Sequence, residues 1–370
     1  MRAGLDITQA VKHKGRGIAN YIRQVVPLLE NTAPPLDLTL CIRGGRWLRR
    51  SLVAQLAPAS PRAWLPFNHP GKNLGLDLFH SFGNHLPARS PVPCTFTIHD
   101  FRALDRPRRR GGGSDRLHRN IERASGVICL TEHGKNRLVH HYPDFDASSI
   151  AVIPHGVDHS SFFPPDRDAA SATAESYGLG SAFVLQLGSW FPHKNLELSI
   201  RAFATSRARS QGYQLVFTGG GATPEYRAAL DKLSTSLGIE DKISWIENAS
   251  WPDIPLLLAA AGCLLQPSRY EGFALPVLES MAVGTPGVVS DSSCLPEVSG
   301  GIWPVAGQDD PGAFAAGIDA MLFEEDFRSE AIQAGLNRAA EFSWESSAAQ
   351  TSQFFHHVQS KVNGDSRTAT

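Results

Sequence analysis

No apolar stretch of this sequence is long enough to cross a bilayer; the longest, residues 254–265, falls well short of the ~20 residues a spanning helix needs. The first residues, Met1-Arg2-Ala3-Gly4-Leu5-Asp6, lack the apolar core of a secretory signal. The chain is therefore expected in the cytoplasm, with any membrane contact peripheral. Cysteine is scarce and odd in number. Cys41, Cys94, Cys129, Cys263 and Cys294 are scattered and mostly lie inside apolar runs, which excludes a disulfide framework or a zinc site and fits reduced, buried thiols. A dominant charge is also lacking: the net charge of -1 argues against a dedicated nucleic-acid binder. Short internal repeats and long low-complexity tracts are absent as well.

What is present is enough chain for two α/β domains. With 370 residues, 42% hydrophobic and 19% charged, the sequence exceeds one ordinary core and reads as globular. The near-neutral total hides a split. Residues 1–150 carry 22 Lys and Arg against 11 Asp and Glu, and the remainder carries 13 against 25. A basic half suits an anionic surface or a phosphate-bearing acceptor; plain solvation of the arginines is the alternative.

Short β-rich runs alternate with helical patterns, which implies parallel sheets covered by helices. Strands are expected at 3–7, 36–42, 76–80, 95–99 and 127–131, and Ile18, Tyr21, Ile22, Val25 and Leu29 recur at helical spacing over 17–29. The Pro- and Asp-rich stretch 163–166 reads as a linker. Beyond it, strands are expected at 183–187, 214–218, 243–246, 263–266 and 287–290. Helices fit 195–206, 224–237, 253–260, 276–283, 311–322 and 327–341. A last helix is expected over 344–362, with 363–370 as a polar tail. The domains are thus expected at 1–163 and 164–343, two doubly wound Rossmann-like units facing across a cleft.

The segment with most chemistry is Glu271-Gly272-Phe273-Ala274-Leu275-Pro276-Val277-Leu278-Glu279. Pro276 suits the first turn of a helix. The amides of Phe273, Ala274 and Leu275 then lie at a helix N-terminus, where free donors and the helix dipole attract phosphate. Gly272 lets the backbone approach a ligand closely. Carboxylates flanking such a site would repel phosphate, so hydroxyls are their natural partners. Two surface glutamates eight residues apart are the plain alternative.

Five further segments follow strands. Gly188-Ser189-Trp190-Phe191-Pro192-His193-Lys194-Asn195 ends in a lysine placed to neutralise a departing diphosphate. Arg269 has a weaker claim to help it. His13-Lys14-Gly15-Arg16-Gly17 is a glycine loop before a helix, able to receive an anion but without a dinucleotide or P-loop spacing. His99, in Thr97-Ile98-His99-Asp100, stands at a strand end where an imidazole could bond a sugar hydroxyl; Asp100 reads as support for that loop. Phe217-Thr218-Gly219-Gly220-Gly221 is another strand-to-glycine turn. His155, in Pro154-His155-Gly156-Val157-Asp158, reads as part of a structural turn.

The run from Pro267 to Ala282 resembles the E-x7-E signature of retaining glycosyltransferase family 4, and Ser293-Cys294-Leu295-Pro296-Glu297-Val298 continues the likeness. The resemblance implies a GT-B fold whose C-terminal helix crosses back to the N-terminal domain. It implies that Glu271 lies against the donor sugar, that Glu279 holds the ribose, and that the amides between them reach the sugar and diphosphate. It further implies that Lys194 serves the diphosphate, that Gly15 and Gly17 lie near the donor, and that His99 lies near its sugar. The 217–221 turn and Glu247-Asn248 would border the nucleotide base. Many members carry Arg directly after the first glycine of the lysine segment, where this chain has Ser189. A hydroxyl cannot replace that cation, which leaves more of the phosphate charge to Lys194.

The expected activity is retaining transfer of a hexose, mannose from GDP-mannose, to a glycan or polyprenyl-diphosphate-linked acceptor in cell-surface polysaccharide or lipopolysaccharide synthesis. A UDP-hexose is the alternative donor; a nucleotide-sugar epimerase and a non-catalytic sugar-nucleotide binder are the other classes. No DxD metal site is apparent, so neither metal nor other cofactor is expected.

Overall fold

The computed structural model describes residues 1–11, 17–65, 74–83, 85–105 and 113–368. The expectations for Gly15 and Arg16, and for the Arg108-Arg109-Arg110 run, lie outside these residues. The described chain divides into two compact units. One comprises Met1–Gly156 with Ser343–Thr370, the other Val157–Phe342.

In the first unit the strands are β1 (Arg2–Asp6), β2 (Asp37–Arg43), β3 (Arg62–Leu65), β4 (Leu78–Ser81), β5 (Cys94–Ile98), β6 (Gly126–Cys129) and β7 (Ile150–Val152). They pair in parallel in the order β3-β2-β1-β4-β5-β6-β7. The second unit contains β8 (Phe183–Ser189), β9 (Gln214–Gly220), β10 (Ile243–Glu247), β11 (Cys263–Gln266), β12 (Gly287–Ser290) and β13 (Val305–Ala306). Its sheet is also parallel, in the order β10-β9-β8-β11-β12-β13. Central strands such as β5, β11 and β12 are buried along their whole length; β11 and β12 read as short apolar runs, whereas β5 alternates buried Thr95 and Thr97 with Cys94, Phe96 and Ile98.

Each sheet is doubly wound: the chain builds outward from a central strand to one side, then returns and builds to the other. The reversal falls between β1 and β4 in one unit and between β8 and β11 in the other. Loops leaving the carboxyl ends of such a strand pair run in opposite directions and leave a crevice, the usual ligand position in this architecture.

The helix Gly17–Leu29 matches its expected bounds, with Tyr21, Ile22, Val25 and Leu29 buried. It packs against the last helix, Trp344–Thr368, which therefore belongs to the first unit. That helix runs on through most of the expected 363–370 tail, as no proline stops it. Its base is tightly fitted: a Cβ on Gly156 would come within 2.2 Å of the Trp344 nitrogen. The first unit accordingly closes at Gly156, and the expected boundary at 163 falls inside the second. Val157 donates its N–H to the Phe342 carbonyl at 3.1 Å, which ties the two ends of the second unit together. All five cysteines are buried and unpaired.

Candidate active site

Lys194 and Glu271 each lie five residues beyond a strand, β8 and β11 respectively, and so flank the reversal of the second sheet. Their side chains meet there. Lys194 Nζ donates to Glu271 Oε1 at 2.5 Å, with both side chains largely buried. The same oxygen accepts from Gln266 Nε2 at 2.7 Å and from Ser268 Oγ at 2.6 Å. Burial pushes the Glu271 carboxyl upward, but the Lys194 charge and hydrogen bond, the Ser268 hydroxyl and His193 outweigh it. The group sits below its ordinary range and remains ionised at neutral pH.

Local devices hold the pair in place. Gln186 donates to the Lys194 carbonyl at 2.8 Å, and Ser199 donates to Gln186 at 2.8 Å. Asn195 takes a left-handed backbone, φ 56°, and its amide donates to the Pro267 carbonyl at 3.1 Å and the Gln308 carbonyl at 2.8 Å. This one side chain clamps the loop after β8 to the loop after β11. On the other side the Glu271 N–H donates to Ser293 Oγ at 2.9 Å, and Ser290 Oγ donates to the Ser268 carbonyl at 2.6 Å.

The helix after Glu271 spans Leu275–Ala282, with Ala274 as its N-cap and Pro276 in its first turn. Ala274 has φ 63°, a left-handed conformation that is strained for a residue with a Cβ. Phe273 and Ala274 are buried, and Gly272 precedes them. Glu279, on this helix, is 7% exposed and makes no hydrogen bond or ion pair among the described residues. Burial alone pushes its carboxyl up to about 7. A buried carboxylate in this state gains from any ligand that brings hydroxyl donors.

Ser189 ends β8 opposite Gly220. Gly188 has φ 138°, a backbone conformation that favours glycine. Gly219 abuts Gly188 so tightly that a Cβ would lie 1.7 Å from its carbonyl oxygen. Arg269 is paired with Asp309 at the surface.

In the first unit Gly17 opens its helix, and nothing lies within 4 Å of where its Cβ would be. His99 follows β5, and its Nε2 donates to the Phe82 carbonyl at 2.7 Å, which leaves Nδ1 as the acceptor. Burial holds the His99 ring below its ordinary pKa, against the opposing pull of Phe82 and Asp100. Asp100 accepts from the Arg102 N–H at 3.1 Å and so supports the loop. His155 forms a tilted aromatic cluster with Tyr21 and Trp344, its ring centroid 4.6 and 5.4 Å from theirs, in keeping with a structural turn. Sequence reasoning missed Gln266, Ser268 and Ser293. Ser268 and Ser293 stand inside the two runs that carry the family likeness but drew no role there, and a glutamine at a strand end was the only signal for Gln266.

Two doubly wound parallel sheets, one of them carrying a helix end flanked by two buried carboxylates, match the architecture of the GT-B class of glycosyltransferases. Two family models match the chain: "Glycosyltransferase Family 4" over residues 32–161 and "Glycosyl transferases group 1" over residues 174–338. The chain belongs to the family-4 glycosyltransferases. It is 27% identical to O-antigen chain mannosyltransferase B of Escherichia coli, over 74% of this chain and 72% of that one. Identity to O-antigen chain mannosyltransferase RfbU of Salmonella typhimurium is also 27%, over 55% of this chain and 54% of that one. Among solved structures, Anabaena HepE in complex with UDP and glucose superposes with a TM-score of 0.75 at 16% identity, covering 95% of this chain and 98% of that one. WaaG, a glycosyltransferase involved in lipopolysaccharide biosynthesis, superposes with a TM-score of 0.67 at 14% identity, covering 96% and 99%. At these identities the two structures speak to fold alone.

Proposed function

We propose that this protein transfers mannose from GDP-mannose, with retention, to a glycan or polyprenyl-diphosphate-linked acceptor in cell-surface polysaccharide synthesis, working at the inner face of the cytoplasmic membrane. The observation that carries the reading is the asymmetric pair of carboxylates around the helix end at Ala274. Glu271 is ionised and anchored beside Lys194, whereas Glu279 is buried and unpartnered. A nucleotide-sugar has the matching pattern: sugar hydroxyls, a diphosphate, then ribose hydroxyls. The likeness to two O-antigen mannosyltransferases supports mannose as the sugar.

In this reading the amides from Phe273 to Leu275 and the Lys194 ammonium stabilise the departing diphosphate, with Ser189 beside its path. Glu271 orients the sugar, and Glu279 holds the ribose. No residue pair supplies a convincing double-displacement nucleophile. The leaving diphosphate then assists deprotonation of the acceptor on the same face, and catalysis rests on positioning and charge stabilisation. Lys194 and the loop amides carry the role that a cation takes in metal-dependent transferases, so turnover is expected to survive chelation by EDTA.

The test is a panel of GDP- and UDP-sugars, scored by thermal shift and by slow donor hydrolysis. Preferential stabilisation and hydrolysis of GDP-mannose is the expected result; preference for a UDP-hexose overturns the donor assignment. Release of an altered sugar without acceptor would mark an epimerase, and binding without any turnover a non-catalytic binder.

A further inference from the structure

Between Asp37 and Asp77 the sequence contains no Asp or Glu, against five arginines and one lysine. The stretch opens where β2 ends, at the ligand-binding edge of the first sheet, with a 3-10 helical segment over Gly44–Val53 that kinks at Arg49. It returns through β3, the edge strand of that sheet. Three large apolar side chains here face solvent: Leu48 at 81% exposure, Leu52 at 50% and Trp64 at 51%. Trp64 is fixed rather than loose, since its Nε1 donates to the Gly44 carbonyl at 3.1 Å. Leu48, Ser51 and Ala54 share a shallow concavity with Arg50 and Arg62. Of the five arginines only Arg43 is engaged in an ion pair among the described residues, with Asp6. The Arg50 guanidinium lies 5.0 Å from the Trp47 ring centroid.

Exposed leucine and tryptophan beside unneutralised arginines call for an occupant that offers apolar volume and negative charge together. A soluble anion would satisfy only the arginines. A nucleic acid would satisfy them too, but it offers nothing to Leu48 and Leu52. An anionic bilayer surface supplies acyl chains for leucines, a headgroup layer for the indole, and phosphates for the guanidinium groups.

We propose that the Gly44–Val53 helix and the β3 edge dock this protein onto anionic membrane. Leu48, Leu52 and Trp64 enter the interface, and Arg46, Arg49, Arg50 and Arg62 engage lipid phosphates. The proposal deepens the functional reading by naming the surface and lipid class through which a lipid-linked acceptor is reached, but the docking itself does not depend on donor chemistry.

The experiment is co-sedimentation of the full chain with vesicles of phosphatidylcholine alone or with about a third phosphatidylglycerol. Two double variants accompany it: Leu48→Ser with Leu52→Ser, and Arg49→Gln with Arg50→Gln. Binding to the anionic vesicles is expected, weakening as salt rises to about 0.5 M. Each double variant should bind about tenfold or more weakly, with unchanged melting temperature and donor hydrolysis. Absence of binding, equal binding to neutral vesicles, or loss in only one double variant would overturn the proposal, since it requires charge and insertion together. Donor hydrolysis absent from every form while vesicle binding persists would instead sink the functional reading and leave this one standing.

Discussion

Glu271 and Glu279 are the same residue type on one short segment, and their surroundings drive them apart. Lys194, Gln266 and Ser268 converge on Glu271 and keep it ionised, whereas burial without a partner places Glu279 at about 7. If ribose hydroxyls donate to Glu279, nucleotide binding favours its ionised form and expels a proton. Affinity for a nucleoside diphosphate should therefore fall as pH drops below 7, by up to about tenfold per pH unit. Calorimetry in buffers of different ionisation enthalpy would detect the released proton. The Glu279→Gln variant separates this effect from titration of the phosphate, and an identical pH dependence in both proteins would refute the assignment. Lys194→Ala removes the cation assigned to the leaving group, so kcat should fall about 10²–10³-fold. Its fold should survive, because the partner carboxylate stays bonded to Gln266 and Ser268.

At the scale of elements, the site depends on loops held together after β8, β9 and β11. Asn195→Ala deletes the two side-chain hydrogen bonds from Asn195 to the Pro267 and Gln308 carbonyls, and should destabilise the second unit by about 1–3 kcal/mol in denaturant unfolding. Gly219→Ala should be worse, because its methyl would sit 1.7 Å from a backbone oxygen and both strand ends would have to separate. Insoluble or unfolded protein is expected, and a normal melting temperature would contradict the packing described. The helices and strands that line these loops were largely readable in the sequence, because central parallel strands bury both faces and leave continuous apolar runs. β3 was missed: Arg-Ala-Trp-Leu is short, lies at the sheet edge and is largely unburied. The helix Glu132–His141 was missed because it buries only Leu138 and so has no apolar stripe. Lys194 and Glu271 were each picked out for a ligand role, yet their pairing across 77 residues could not be read without the strand order that brings β8 beside β11.

At the scale of the whole chain, the two units carry different titratable liabilities. In the first unit His80 is fully buried between Thr95 and Thr97, and burial with a further push from His99 holds it down to about 3. His155 is also held well below its ordinary value by burial. Both rings stay neutral when folded but take protons once unfolded. Their stabilisation is complete above pH ~6.5 and is lost as pH falls towards their folded values, at up to about 1.4 kcal/mol per pH unit for each ring. Urea unfolding at a series of pH values should show stability declining below 6.5; a flat profile down to pH ~4 would contradict the buried, neutral assignment. The account as a whole rests on the second unit's crevice being the donor site. The most direct measurement is GDP-mannose turnover, by hydrolysis or transfer, in the wild-type chain and in Glu271→Ala. A loss of at least about 10²-fold in kcat with an unchanged melting temperature is predicted; unchanged turnover in a folded Glu271→Ala protein would contradict the assignment.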